Sequence, residues 1–377
     1  MNAAAKPRVA FCIDSFRVGG TELNAVRTAE ALCARGVPLV VFHFQHTGPL
    51  RGRYEAAGIP LVHVAIPNLY SWRSLRAGAG LARALREWRA DVLHAHDIYS
   101  NIFAVPWARV ATGVKTIASR RWWYEAPRPE LLTANRWSYR FAHKVLANSH
   151  GVAGLLTAGE RVPSAKVVEV PNFVGEEAFE RVDASARRAQ RELWSVPEGH
   201  CAVGVLARLS PVKNHVLLLR ALALLDDRFH AVLIGDGPSR AEIEQCGREL
   251  GVSARIHFAG ELLSPLNLHQ FFDISVLCSR SEGFPNSLLE AMAAARPVVA
   301  TRVGGVPDLL EDGRTGVFVS TIDPQQLASA LSELWGDAAR RLRIAAAGEA
   351  VAYTRYHRSA VIDRLEQVYA SLAELRD

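Results

Sequence analysis

Short apolar runs alternate with helix-patterned segments along almost the whole chain, and this alternation limits the fold more than any other feature. In the first half, Val9–Ile13, Leu39–Phe44, Leu61–Ala65, Val92–His94, Thr116–Ala118, Val145–Ala147 and Val167–Val170 read as buried strands. Between them Glu22–Arg35, Ser74–Trp88 and Asn135–Ala142 carry helical patterns. The pattern restarts after the polar, Arg-rich stretch Gly175–Arg191. Strands are expected at Ala202–Leu206, His230–Ile234, Arg255–Phe258, Ile274–Cys278, Pro297–Ala300 and Gly316–Val319. Helices are expected at His215–Leu225, Arg240–Gly251, Leu266–Phe271, Ser287–Ala295, Val306–Leu310 and Gln325–Leu334. Near-continuous apolar strands separated by helices imply parallel sheets covered on both faces, here two doubly wound α/β units.

A chain of 377 residues is long enough for two domains, each with its own core. The expected division is residues 1–180 and 190–352, with an amphipathic helix over about 353–377 of the kind that can return to the first lobe. The start, Met1–Arg8, has no signal-peptide pattern, and no apolar run approaches the ~20 residues of a membrane span. Five scattered cysteines, never spaced CxxC, write neither a disulfide frame nor a zinc site. The expectation is a soluble, cytoplasmic protein.

Charge is one-sided. Residues 1–185 hold 23 Lys and Arg against 15 Asp and Glu, whereas the remainder holds 21 against 23. A basic first half favours an anionic partner, a membrane surface or a phosphorylated acceptor; charge alone also admits nucleic acid, or simply an Arg-rich solvated surface.

Open parallel sheets bind ligands beyond the carboxyl ends of their strands, so chemistry is sought there. Gly19-Gly20 follows the first strand and opens a helix, as a tight turn or as a place where backbone amides approach an anion. The segment lacks the full GxGxxG and GKS/GKT patterns of dinucleotide and P-loop sites. Arg208 and Lys213 share the loop after the strand ending at Leu206 and suit a diphosphate, although both could be surface charges. Gly235-Asp236-Gly237 reads as a steric requirement of a turn. In Glu282-Gly283-Phe284-Pro285-Asn286-Ser287-Leu288 a carboxylate precedes the N-terminus of a helix carrying Glu290. The amides of Phe284 to Leu288 offer a phosphate cradle, Glu282 could accept from sugar hydroxyls and Glu290 could hold a ribose diol. At ~1.5 Å rise per residue the two carboxylates lie on the order of 10 Å apart, more than the ~5 Å of a retaining glycosidase pair. The plainer alternatives are a helix-start charge for Glu282 and a solvated face for Glu290.

With these residues in view, the segment Gly204–Gly316 resembles the donor domain of retaining family-4 glycosyltransferases. The likeness is carried by Arg208, Lys213, Gly235-Asp236-Gly237, the Glu282 to Glu290 spacing, Glu290-Ala291-Met292-Ala293, Pro297-Val298-Val299-Ala300-Thr301 and Gly304-Gly305-Val306-Pro307. The first half agrees more loosely through Gly19-Gly20-Thr21-Glu22, Asp91-Val92-Leu93-His94-Ala95-His96, Ala147-Asn148-Ser149 and Val170-Pro171-Asn172.

The resemblance implies the GT-B fold, two Rossmann-like doubly wound domains facing across a cleft. It also implies transfer of a hexosyl unit, with retention, from a UDP- or GDP-linked sugar to a glycan or lipid-linked acceptor of cell-surface polysaccharide such as lipopolysaccharide. Arg208 and Lys213 would neutralise the diphosphate, Glu282 would bind the sugar, Glu290 the ribose, and Gly19 and Gly20 the diphosphate from the other lobe. No metal or other cofactor is implied, and nucleic acid is not expected as a partner. Many relatives carry a His after the strand Thr116–Ala118; here the chain reads Ser119-Arg120-Arg121-Trp122-Trp123-Tyr124, so Arg120 is the candidate for that contact. His94, His96, Arg120, Arg121, Trp122 and Trp123 are the acceptor-side candidates, in a basic aromatic cluster with Tyr124 and Arg128; a structural histidine and an ordinary lobe surface are the competing readings. The basic lobe is expected to make peripheral contact with the inner face of the membrane. A nucleotide-sugar epimerase of the same fold and a non-catalytic nucleotide-sugar binder are the rival functions.

Overall fold

The computed structural model describes residues 6–66, 72–123, 129–262 and 268–374. The chain divides into two compact units, Met1–Asn172 with Ser359–Asp377, and Phe173–Arg358.

The first unit runs β1 (Val9–Ile13), α1 (Gly20–Ala34), β2 (Leu39–His43), α2 (Arg51–Ala56), β3 (Leu61–His63), α3 (Trp72–Glu87), β4 (Val92–Ala95), α4 (Ile98–Thr112), β5 (Lys115–Arg120), α5 (Pro129–Ser138), β6 (Lys144–Ala147), α6 (His150–Gly154) and β7 (Val167–Glu169). Its strands form one parallel sheet in the order β3-β2-β1-β4-β5-β6-β7. All five residues of β1 are buried, as a strand covered on both faces requires.

The second unit runs α7 (Ala184–Leu193), β8 (Cys201–Leu206), α8 (His215–Leu222), β9 (Phe229–Ile234), α9 (Arg240–Glu249), β10 (Ile256–Gly260), β11 (Ile274–Leu277), α10 (Asn286–Ala293), β12 (Val298–Thr301), α11 (Val306–Leu309), β13 (Val317–Val319), α12 (Pro324–Gly336) and α13 (Ala338–Tyr356). Its sheet is also parallel, in the order β10-β9-β8-β11-β12-β13. Every expected strand is present, and both sheets reverse their winding beside their first strand, at β1/β4 and at β8/β11.

The departures have local causes. The polar, Arg-rich stretch Gly175–Arg191 was read only as the point after which the pattern restarts, but Ala184–Leu193 is a helix; it has no buried residue and a single large apolar side chain, Leu193, so no apolar run marks it. Asp183 caps it, and Arg187 and Arg191 tie it to Asp273 at 2.6 and 2.7 Å. Helix α4 holds Pro106 in an apolar run that reads poorly as helix; an Asp97/Ser100 capping box starts it and Gly113, in the left-handed region, ends it. The helix expected over Asn135–Ala142 spans Pro129–Ser138 instead, with proline at its first position and tight turns after Ser138. Leu268–Phe271 is a 3₁₀ turn, and residues 263–267 lie outside the described residues.

The terminal helical stretch is two helices. Extended His357 separates α13 from α14 (Arg358–Ala373), and its neighbours bond to Val174: Val174 donates to Tyr356 and Arg358 donates to Val174. From Ser359 onward α14 belongs to the first unit, anchored by Lys6–Glu366 (2.8 Å), Arg35–Glu366 (2.9 Å) and the Tyr369 hydroxyl on His94 Nδ1 (2.7 Å).

Several histidines are folded into apolar surroundings. Burial pushes the His269 imidazole down to about 3 and those of His43, His215 and His230 to about 4. Unfolded, each takes a proton near pH ~6.5, so their contribution to stability is present above that pH and is lost as the pH falls toward the folded values. Replacing one such group by a neutral amide removes its share of that slope, whatever the carboxylates contribute. His269→Asn is therefore expected to lose less stability than the parent between pH 7 and 4.5 in urea denaturation; an equal or steeper loss would contradict the assignment.

Candidate functional site

In the second unit the loops after β8 and β11 emerge side by side because those strands are neighbours. The β8 loop carries Arg208, a 3₁₀ turn at Pro211–Lys213, and Asn214, whose left-handed φ of 52° turns the chain into α8. It is fixed from both sides. Leu209 donates to the Asp236 carbonyl, Ser239 donates to the Leu209 carbonyl, and Arg280 donates its backbone N–H to Val212 at 2.8 Å. The glycines of Gly235-Asp236-Gly237 sit at φ 131° and 157°, where a Cβ would lie 2.2 Å from the Ala207 oxygen and 2.3 Å from the Leu209 oxygen. Their role is to let two backbones touch, as the steric reading expected.

The β11 loop brings Glu282 to this turn. Lys213 Nζ meets Glu282 Oε1 at 2.6 Å, and the Ser279 hydroxyl donates to the same oxygen at 2.5 Å. Ser279 is held through its carbonyl by Thr301 at the end of β12. Behind Glu282 lies Gly304, at φ 49°, where a Cβ would fall 1.8 Å from the Glu282 carbonyl oxygen; Gly305 donates to that oxygen at 3.1 Å. Two residues picked for separate duties are thus paired with each other. Arg208 is exposed in the same loop, and its guanidinium has no protein partner among the described residues.

Helix α10 begins directly after this loop. Pro285 caps it without a side-chain hydrogen bond, and the first backbone bond is Leu289 to the Pro285 carbonyl. The N–H groups of Asn286, Ser287 and Leu288 therefore precede the internal ladder and give the end a positive character. Phe284 and Leu288 are buried, Gly283, Asn286 and Ser287 half-buried, and the apolar side of the helix, including Leu289, Ala291 and Met292, packs with Phe284 and Tyr356. Glu290 is buried and engaged within the fold, which corrects the solvated-face alternative.

In the first unit Gly19 is the extended N-cap of α1, which starts at Gly20 with no side-chain cap. Here the surroundings are acidic. Burial, the largest cause in each case, raises the carboxyls of Asp14 and Glu22 and pushes Asp97 up to about 7, with Asp14 a further cause for Asp97. Asp14 donates its N–H to Asp97 Oδ2 at 2.8 Å, joining the ends of β1 and β4. The sequence reading passed over Asp14 and Asp97; their position one and two residues beyond the adjacent strands β1 and β4 was the available signal.

The acceptor-side candidates separate. His94 is fully buried with both ring nitrogens engaged, Nδ1 with Tyr369 and Nε2 with the Ser119 hydroxyl at 2.8 Å, so it is a structural histidine with none left for substrate. His96 is equally buried, stacked on His94 and tilted against Phe11 with ring centroids 4.1 and 4.2 Å away, and neither of its nitrogens has a hydrogen-bond partner among the described residues. Arg120, the candidate for the missing histidine, is inside the fold, 3.2 Å from buried Glu160 and over the Trp122 ring. Trp123 is half-buried and packs on the core of the unit. Arg121 is buried and donates to Asn172. Tyr124 and Arg128 lie outside the described residues.

Comparison with known proteins identifies the class. The model of the glycosyl transferases group 1 matches residues 200–337, and that of the glycosyl transferase 4-like domain matches residues 19–172. The D-inositol 3-phosphate glycosyltransferase of Thermomonospora curvata is 32% identical over 93% of this chain and 90% of its own. The lipopolysaccharide core biosynthesis glycosyltransferase LpsE of Rhizobium meliloti is 28% identical over 62% of this chain and 66% of its own. Among solved structures, Anabaena Alr3699/HepE in complex with UDP superposes with a TM-score of 0.86 at 23% identity, covering 97% of this chain and 100% of that one. The chain belongs to the family-4 glycosyltransferases, with their GT-B architecture of two parallel-sheet α/β domains.

The close approach behind Glu282 gives a direct test. Gly304→Ala must displace that carbonyl and is expected to cost about 1–3 kcal/mol of stability and to disturb nucleotide binding. Urea denaturation and nucleotide titration read both; a variant unchanged in each would show that the contact does not hold the loop.

Proposed function

We propose that the protein transfers a hexosyl unit from a nucleoside-diphosphate sugar, UDP- or GDP-linked, to a glycan or lipid-linked acceptor of cell-surface polysaccharide, with retention at the anomeric carbon. The observation that carries this reading is the Lys213–Glu282 pair beside the N-terminus of α10. Cleaving the sugar–phosphate bond leaves charge on the diphosphate, and groups aimed at that charge lower the barrier. Lys213, Arg208 and the first amides of α10 are those groups. As phosphate oxygens draw Lys213 away, sugar hydroxyls replace it as donors to Glu282, so binding the donor exchanges one set of charge-assisted bonds for another. Attack then occurs on the face the diphosphate leaves, with a departing phosphate oxygen taking the acceptor proton. These fixed charges do the work a metal ion does elsewhere, so EDTA is expected to leave turnover unchanged.

Support for a lipid-linked acceptor comes from the first unit and from the lipopolysaccharide relative. A cavity of about 880 Å³ lies beside β2, β3 and α3, lined by Phe42, Phe44, Val62, Val64, Ile66 and Leu81. Arg83 and Arg86 are exposed on α3. No helix among the described residues is long and apolar enough to cross a membrane. Attraction of the basic unit to an anionic leaflet, about 1 kcal/mol per basic residue near the surface, would hold the enzyme peripherally and weaken with salt.

The test is a donor screen with UDP- and GDP-sugars, with and without membrane lipid extract, read by mass spectrometry and by the anomeric coupling of the product. Sugar isomerisation without transfer, or nucleotide binding without turnover, would replace this reading with the epimerase or the binder. Lys213→Ala is expected to lower kcat/KM by about 10²–10³-fold. Glu282→Gln should lose transfer to a similar extent yet bind the free nucleoside diphosphate as tightly as the parent or tighter, since Lys213 is released. Weaker diphosphate binding in Glu282→Gln would remove the exchange from the mechanism.

A further inference from the structure

Three neighbouring strands of the first sheet end on buried polar side chains. His96 follows β4, Arg121 follows β5 and Asn148 follows β6, each one residue beyond its strand. They are 0%, 8% and 2% exposed. Both ring nitrogens of His96, Nε of Arg121 and Oδ1 of Asn148 are buried without a partner among the described residues. Electrostatic coupling to His96, His94 and Tyr369 places Arg121 in the same cluster.

The two adjacent arginines differ in one respect. Arg120 is neutralised by Glu160, whereas Arg121 has one side-chain hydrogen bond, from Nη1 to the amide oxygen of Asn172 at 3.1 Å, and no carboxylate partner among the described residues. A guanidinium stays charged at neutral pH, even where burial has lowered it to about 10 as here. Holding that charge inside a protein without a counter-charge is destabilising, and an apolar residue of similar volume would avoid the cost. With Nη1 held by Asn172, the opposite edge of the guanidinium, where Nε is buried without a partner among the described residues, is the fork geometry that grips two oxygens of one anion. Asn148 spends its Nδ2 on the Arg121 carbonyl at 3.2 Å, so its free oxygen can only accept. Burial holds His96 well below its ordinary range and therefore neutral, with one nitrogen to donate and one to accept.

We infer that the acceptor carries an oxyanion, of phosphate or carboxylate type, bound on the Nε/Nη2 edge of Arg121, with neighbouring hydroxyls received by Asn148 Oδ1 and His96. The word acceptor rests on the transferase reading; the anion site itself does not.

The test therefore uses no donor. In an Arg208→Ala, Lys213→Ala background, which removes the cations of the donor loop, inorganic phosphate is titrated against chloride at equal ionic strength and thermal unfolding is followed. Phosphate should raise the melting temperature, and adding Arg121→Gln should weaken the response at least tenfold in concentration, while melting in chloride stays the same or rises because an uncompensated charge is gone. Arg121→Lys, which keeps the charge without the fork, provides the second variant should Gln fail to fold, and is expected to bind phosphate more weakly than Arg. Soluble glycerol phosphate and succinate, and vesicles of phosphatidic acid in phosphatidylcholine, then distinguish a soluble from a lipid source; dependence on Arg121 in any arm upholds the site. A response that is equal with and without Arg121 in every arm, or absent from every arm, overturns it. Failure here would leave the effects of Lys213 and Glu282 on the donor untouched, so the two readings fail separately.

Discussion

Everything functional in the second unit depends on one topological constraint, the reversal of winding between β8 and β11. Crossover connections from a parallel strand are right-handed, so the helices after these neighbours pass to opposite faces of the sheet and leave a crevice where the loops part. That crevice brings Lys213 and Glu282, 69 residues apart in sequence, to 2.6 Å. Backbone packing sharpens the placement, because Gly235, Gly237 and Gly304 each stand where a Cβ would occupy the position of a neighbouring carbonyl. The glycines of the motifs thus shape the loops, and the charged residues act from those loops.

The first sheet obeys the same constraint at β1/β4, with a different result. There the switch point gathers carboxylates, Asp14, Glu22 and Asp97, raised by burial, beside an α1 N-terminus that has no side-chain cap. One strand further on, the strand ends carry the histidines, arginines and asparagine of the β4–β6 cluster. Identical architecture therefore supports a cationic, diphosphate-suited loop in one unit and a mixed polar crevice in the other, as the side chains after each strand dictate.

Strands, and the motifs that mark the loops proposed for the donor, were legible in the sequence because both rest on local patterns: apolar runs for buried parallel strands, and glycine, cation and carboxylate at fixed offsets after them. What stayed hidden required distant partners or lacked a pattern. Helix α7 is polar, with no buried residue and no apolar run, and Pro106 disguises α4. His94 looked like a reactive group, yet its fate is decided by Tyr369, 275 residues away. Arg120 and Arg121 are indistinguishable in a list of basic residues; the position of Glu160 makes one a core ion pair, while the other has no carboxylate partner among the described residues. The pairing of Lys213 with Glu282 was likewise invisible, since the motifs announce two binders and not that each binds the other first.

That last pairing bears on energetics. Were Lys213 free and rigid, phosphate binding would cost only its desolvation; paired with Glu282, it must first give up a short charge-assisted bond. The cost is small where the pair borders solvent, as the quarter-exposed lysine does, because partly solvated ion pairs contribute on the order of 1 kcal/mol or less. The gain from two phosphates and a helix terminus is larger, and Glu282 retains the Ser279 hydroxyl throughout, so its carboxylate is never left buried and bare. In the proposed reaction the ion pair would therefore hold both side chains in place at little expense in affinity. It would also couple them, since a diphosphate that takes the lysine frees Glu282 Oε1 for a sugar hydroxyl.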